Sequence, residues 1–452
     1  MNILTLDMTN VLSKTIGKEG LHKKDIVSTS SKLKTYNKTL WDAPYPFMEL
    51  PSLRFQFKEM GQLSDTIKKK HIKNLVLLGI GGSSLGTETI FHALLHPFHN
   101  LHEDMRNGKP RYFILDNIDP HKMNRVIEIT EKEKDNTLLV VISKSGETPE
   151  TISQFMILKE MLGKEKNFRD RVVIITDKHK GILKEIVDKE GYAVLNVPEG
   201  VGGRFSVLTP VGLFPSLVMG IDIDEIVNGA KDMAAHIREK PYKENMAITL
   251  ASILYLMERK GKHIHVIMPY CERLSGFADW FRQLEAESLG KNHLGATPLK
   301  SMGVTDQHSQ LQLYVEGPKD KCIMFLYSAQ EKRLIPRSFS YIESIDYLGG
   351  KDLKDLFYAE FIGTRLSLTE AKTPNFTLQL ENINGYSLGA LFFLYEMVIT
   401  YLGYLYNVNA FDQPGVELGK IYTKALMGKK DLVKERKTAN TALSTSKTLI
   451  SF

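Results

Sequence analysis

Residues 74–86 read Asn-Leu-Val-Leu-Leu-Gly-Ile-Gly-Gly-Ser-Ser-Leu-Gly. A short apolar run that ends in glycines and serines and then passes into a helical pattern predicts a strand followed by a tight strand-to-helix turn. Similar runs recur as RYFILD (111–116), LLVVIS (138–143), RVVIIT (171–176) and AVLNVP (193–198). Between 148 and 163, Ile152, Phe155, Met156 and Leu162 recur at helical spacing, with Pro149 at a natural first-turn position. Strands alternating with helices in this way predict a parallel sheet covered by helices on both faces.

A second unit of the same build begins after a helical stretch over Met246–Arg259. Its expected strands are HIHVIM (263–268), LQLYVE (311–316) and CIMFLY (322–327), followed by a long helix from Leu388. The chain of 452 residues is longer than one hydrophobic core usually serves, which also favours two domains. The expectation is an α/β protein of two doubly wound domains, each a mainly parallel sheet flanked by helices. Residues 1–50 are read as a wrapping segment, 51–220 as the first domain and 221–262 as a helical connection. Residues 263–427 form the second domain and 428–452 a basic tail, solvated or frayed.

Composition removes several function classes. Hydrophobic residues at 42% and charged residues at 25% exclude a disordered or fibrous chain. Cys271 and Cys322 sit in apolar runs without the CxxC spacing of a zinc site, so buried inert thiols are expected. The start MNILTLDMTN lacks a basic segment followed by an apolar stretch, which points to a reducing cytoplasm without disulfides. The net charge of +6 is concentrated in residues 428–452, where six Lys or Arg face Asp431 and Glu435. The remainder, near neutrality, offers no broad surface for nucleic acid. Residues 388–406 are long and apolar enough to cross a bilayer, but carry Glu396 near their centre and have no partner span. They are read as a buried core helix, with no membrane association.

Two segments carry candidate chemistry at strand ends. In 79–86 the glycines allow close backbone approach to an anion, but Ser84 stands where a dinucleotide fingerprint needs its third glycine and no Walker lysine follows. In 143–151, Ser-Lys-Ser-Gly-Glu-Thr-Pro-Glu-Thr, four hydroxyls, a glycine and a Pro-started helix converge at the sheet edge where ligands of open α/β folds sit. The bland alternative is that Thr148 caps the helix while Ser143 and Ser145 fill turn positions. Capping needs one hydroxyl, and this segment supplies Ser143, Ser145, Thr148 and Thr151, so a phosphate cradle is the better reading.

With these segments the chain resembles the sugar isomerase (SIS) fold. Val201-Gly202-Gly203-Arg204-Phe205-Ser206, residues 283–291 (QLEAESLGK), Gln307-His308 and residues 413–420 (QPGVELGK) narrow the resemblance to the glucose-6-phosphate isomerase family. The motifs fall in the expected order over about residues 75–425, which makes the match specific. The chain departs from many members at Leu289, and SKSGETPET is the short loop form shared with other sugar isomerase domains. An aminosugar-phosphate isomerase would share that loop, but not the 203–206 and 415–420 segments.

The resemblance implies two SIS-type domains, interconversion of glucose 6-phosphate and fructose 6-phosphate through a cis-enediol, and no metal or other cofactor. Aldose–ketose interconversion needs a base that takes a proton α to a carbonyl and returns it to the next carbon. The residues alone do not choose between Glu285 and Glu287; the resemblance implies Glu287. It further implies Arg204 as the fixed cation beside the enediolate, His308 and Lys420 as the ring-opening groups, and Gln283 and Gln413 as contacts to sugar hydroxyls. Phosphate is expected among Ser83, Ser143, Lys144, Ser145 and Thr148, with Gly82 and Gly203 lining the site. The family places His308 in the neighbouring subunit's site, which implies a homodimer. A non-catalytic sugar-phosphate sensor would keep the cradle and lose the base.

Overall fold

A computed structural model describes residues 3–53, 55–163, 167–444 and 450, side chains excepted at 55 and 56. Its ten strands are β1 (Leu4–Asp7), β2 (Asn74–Leu78), β3 (Arg111–Leu115), β4 (Thr137–Ser143), β5 (Val172–Thr176), β6 (Ala193–Asn196), β7 (Ile264–Tyr270), β8 (Thr297–Lys300), β9 (Lys321–Ser328) and β10 (Asn375–Leu380). The helices that matter below are α1 (Lys23–Asp42), α2 (Leu85–Leu94), α3 (Pro149–Leu162), α4 (Ile223–Glu239), α5 (Met246–Arg259), α6 (Ser275–Leu289), α7 (Leu311–Glu316), α8 (Gly385–Tyr406), α9 (Glu417–Leu426) and α10 (Val433–Ser444).

The first sheet has the order β3-β2-β4-β5-β6 and every pairing is parallel. All residues of β2, β4 and β5 are buried, which is why their sequences show unbroken apolar runs and no alternation. Leu78 pairs with Val141, so the 79–86 and 143–148 segments leave the same carboxyl edge from adjacent strands. The second sheet has the order β1-β10-β9-β7-β8, parallel except for β1. The α/β architecture with helix-flanked, mainly parallel sheets is as the sequence predicts.

Several elements of the second unit differ from expectation. LQLYVE is the short helix α7, not a strand. Its period-2 pattern also fits a turn and a half of helix, and only Tyr314 is buried there, held by Ser301 at 2.6 Å. The strand on that side is β8, TPLK, which pairs with β7 alone at the sheet edge, where Pro298 is tolerated. Strand β10 and the antiparallel β1 have no distinctive local signal; β1 joins through a partner more than 370 residues away. Helix α1 clasps the helical layer, with Ser30 Oγ 3.0 Å from Ser252 Oγ, and Tyr401 Oη donating to Asn37 Oδ1 at 2.5 Å. The tail, expected to be solvated or frayed, contains α10, which has no buried residue and is tied back by Arg436 Nε donating to Ala425 O at 2.8 Å. Residues 445–449, 451 and 452 of that tail lie outside the described residues.

Helix α8 is the core helix expected from Glu396: 89% of its most apolar window is buried within the chain. Glu396 is fully buried and neither carboxyl oxygen has a hydrogen-bond partner among the described residues. Burial pushes its pKa well above the ordinary carboxylate value, so it is carried as the neutral acid. The unfolded chain releases this proton at lower pH than the folded one. Its contribution to stability therefore falls as pH rises above the unfolded pKa, by about 1.4 kcal/mol per pH unit until the folded pKa is reached. Thermal melts of Glu396→Gln should gain on wild type between pH 5 and pH 7; a difference constant with pH would show that Glu396 ionises in place.

Candidate active site

The junction between the two units is built around Arg204. It lies in a short turn, Gly203–Phe205, that follows β6, and is only 4% exposed. Phe205 anchors the turn against Phe47 and Phe411, at ring distances of 5.0 and 5.1 Å, and its face lies 5.6 Å from the guanidinium carbon. Gly82 is required by close packing: a Cβ there would lie 2.3 Å from the backbone carbonyl of Gly203. The two glycine-containing turns are thus in backbone contact. Gly203 itself faces open space.

All five N–H groups of Arg204 are engaged. Nε donates to Ser288 Oγ at 2.7 Å, and one terminal nitrogen donates to Gln413 Oε1 at 2.8 Å and Glu287 Oε2 at 3.2 Å. The other donates to the carbonyls of Ala410 at 2.6 Å and Asp412 at 3.0 Å. Desolvation lowers the arginine's pKa and the neighbouring Glu287 opposes that shift. Glu287 is gripped on its second oxygen by Gln283 Nε2 at 3.0 Å, one helical turn earlier on α6. Its side chain stays 33% exposed, so a solvated face remains for a reacting molecule. The turn at 79–86 comes close here too, since a Cβ on Gly81 would meet Gln283 Nε2 at 2.7 Å. Gln283 Oε1 is buried and has no hydrogen-bond partner among the described residues.

Glu285, the chemically identical alternative, points elsewhere. Two residues along a helix is about 200° of rotation, and its carboxylate is 1% exposed, paired at 2.5 Å with the buried His265 Nδ1 on β7. It is sealed in the core, out of reach of solvent.

The 143–148 segment forms a cluster of hydroxyls. Ser143 Oγ lies 2.8 Å from Thr148 Oγ1 and 3.4 Å from Ser145 Oγ, which in turn accepts from Glu147 N–H at 3.2 Å. Gly146, at φ +67°, closes the turn. Thr148 stands at the N-cap position of α3 but makes no capping hydrogen bond, so the capping alternative does not describe it. Lys144 is half-buried and has no ion-pair partner among the described residues, while Ser83 lies half-buried in the neighbouring turn.

Among the described residues, neither His308 nor Lys420 makes a hydrogen bond or ion pair with Arg204 or Glu287. His308 ends the Thr305–His308 turn, exposed and without a side-chain hydrogen bond among the described residues, although Gln307 beside it is fixed by Tyr270 at 2.7 Å and Glu360 at 2.9 Å. Lys420 is exposed on α9 and paired with Glu417 at 2.8 Å. Its helix does lie beside the hydroxyl cluster, since Lys424 reaches Glu147 at 3.9 Å.

A family model described as phosphoglucose isomerase matches residues 57–450. The chain belongs to the phosphoglucose isomerase family. The glucose-6-phosphate isomerase of Carboxydothermus hydrogenoformans is 38% identical, with 96% of each chain covered. Among solved structures, a hypothetical protein of Thermus thermophilus is 32% identical with a TM-score of 0.80, over 94% of this chain and all of that one. A glucose-6-phosphate isomerase of Chlamydia trachomatis shares the fold at a TM-score of 0.77 and 18% identity, over 98% of this chain and 92% of that one. This protein is therefore an isomerase of that family.

Sequence reading did not single out Ser288, the Ala410 and Asp412 carbonyls, or Lys291 as parts of the site. Ser288 and Lys291 lie inside the 283–291 motif, but backbone carbonyls carry no residue-type signal. Arg204→Leu strands buried carbonyls and a carboxylate, and should cost about 3–5 kcal/mol. Urea unfolding checks this; a loss below about 1 kcal/mol would mean that the network relaxes into solvent.

Proposed function

We propose that the chain interconverts glucose 6-phosphate and fructose 6-phosphate by ring opening and proton transfer through a cis-enediol, with Glu287 as the base. The observation that carries this reading is the held but accessible carboxylate: Glu287 is fixed by Gln283 and Arg204 and keeps an open face. Taking the C2 proton of the open-chain aldose and returning it to C1 needs one such group, positioned within hydrogen-bond reach of both carbons. As the proton leaves, negative charge grows on the enediolate oxygens. Arg204 is a preorganised cation beside that position, already desolvated.

In this reading the phosphate is held by Ser143, Lys144, Ser145 and Thr148 with Ser83, hydroxyls and amides outnumbering formal charge. Gln283 and Gln413 meet sugar hydroxyls, and the turns at Gly82 and Gly203 line the site. Ring opening falls to His308 and Lys420, with His308 supplied to the site by a second copy of the chain. His308, exposed and without a hydrogen-bond partner among the described residues, supports a role outside its own subunit. The protein then acts as a cytoplasmic homodimer in glycolysis and gluconeogenesis, without a metal, a nucleic acid or a membrane as partner.

A coupled assay forming glucose 6-phosphate from fructose 6-phosphate, with chelator present, tests the base. Glu287→Gln should lose about 10² to 10⁴-fold or more while still binding sugar phosphate; a near-normal rate would remove Glu287 from the mechanism. The shared site is tested by mixing inactive His308→Ala and Glu287→Gln subunits. Mixed dimers hold one site with both changes and one with neither, so activity should return; failure to recover any would exclude a shared site.

A further inference from the structure

We infer that Lys291 is a positioning residue, which clamps the 409–413 segment to the end of helix α6 and thereby sets Arg204 against Glu287. Lys291 lies just beyond α6, four residues after Glu287. Its ammonium donates to Ser288 O at 2.9 Å and to Asn409 O, and lies 3.1 Å from Asp412 Oδ1. Three acceptors for three N–H groups leave it fully engaged. It joins the C-terminal end of the helix that carries the candidate base to both ends of the segment whose carbonyls hold Arg204.

That segment needs such a tie. It runs on from the left-handed Asn407 at the end of α8, and contributes Ala410 O, Asp412 O and Gln413 Oε1 to Arg204. Residues 409–411 form one wall of an open cavity of about 740 Å³, lined also by Lys32, Tyr36, Tyr45 and Tyr404. The strap therefore has the guanidinium on one side and a hollow on the other. Phe411 is wedged between Tyr45 and Phe205, and Asn409 Nδ2 donates to Asp412 Oδ2 at 2.9 Å. Among the described residues, Lys291 supplies the charged tie from this strap to α6.

The lysine side chain is 12% exposed while Asp412 is 52% exposed, so the ammonium is the desolvated partner. Its pKa is lowered by burial, which Asp412 opposes, and Arg204 and Glu287 act on it as charges. It belongs to the same electrostatic cluster, yet all its donors point to the strap and the helix end. It acts on the candidate reaction through Arg204 and not by touching a reacting atom. The kinetic part of this inference rests on the isomerase reading; the structural part does not.

The test pairs Lys291→Met, which keeps the stem and removes the three donors, with Asp412→Asn, which weakens the same tie from the other side. Hydrogen exchange read by mass spectrometry should rise across 409–416 in Lys291→Met, less in Asp412→Asn, with exchange in β2 and β4 unchanged. In the fructose 6-phosphate assay, kcat should fall about 10- to 100-fold for Lys291→Met with KM within about threefold, as expected when a transition-state contact is displaced by an ångström or so. Lys291→Arg should recover part of that loss. Unchanged exchange at 409–416, or a kcat equal to wild type with only a lower Tm, overturns the inference. If Lys291→Met does not fold, Asp412→Asn decides by the same two readings. Raised exchange in Lys291→Met, together with a wild-type protein that shows no isomerisation, would sink the functional reading and leave the clamp standing.

Discussion

The guanidinium of Arg204 is where the two halves of this chain are joined chemically. Its turn belongs to the first sheet, Ser288 and Glu287 belong to α6 of the second unit, and the 409–413 strap follows the long core helix α8. A buried arginine must have every donor satisfied, because each unpaired N–H in a dry environment costs about a kcal/mol or more. Here five donors from one turn meet five acceptors drawn from two further segments, so none of the three can shift without stranding a polar group. Helix α6 also packs directly on α2, which starts at Leu85 within the 79–86 segment. The site is rigid because the charge that would serve the chemistry is the charge that holds the units in register.

The same helix shows how surroundings divide labour between identical side chains. Glu285 and Glu287 differ by two positions, hence by about half a turn of helix. One is enclosed with His265 beneath the sheet; the other faces the junction, tethered at both oxygens and still open to a ligand. Glu396 is a third case, a carboxyl with no solvent and no partner among the described residues, its pKa pushed well up by burial. Three carboxyl groups of one chain thus take three different states, and only the accessible, tethered one suits proton transfer.

The chemistry of the two glycine-containing turns has a packing origin as well. Gly82 is needed because the backbone at Gly203 passes over it, which brings the end of β2 against the arginine turn. The hydroxyl cluster at 143–148 sits on the adjacent strand, and its Ser143–Thr148 bond uses the hydroxyl that would otherwise have capped α3. An anion arriving there meets side-chain hydroxyls and a helix start whose amides lack intrahelical partners.

Local pattern was enough for the first sheet, whose central strands are buried on both sides and so read as unbroken apolar runs, and for the order of the short motifs that mark the family. It was also enough to mark α8 as a core helix, since a central glutamate is costly in a bilayer. It failed where local signals were ambiguous or remote. LQLYVE alternates like a strand but packs as a helix, the proline-containing edge strand β8 was passed over, and β1 joins a sheet whose other strands lie hundreds of residues away. The sequence by itself determined which residue types are available at the strand ends and in what order. Only the tertiary structure decided that Glu287 and not Glu285 faces Arg204, and that among the described residues neither His308 nor Lys420 bonds to that pair. Contacts between distant segments, and the half-turn that separates neighbours on a helix, exist only after packing has fixed each element's rotation and register.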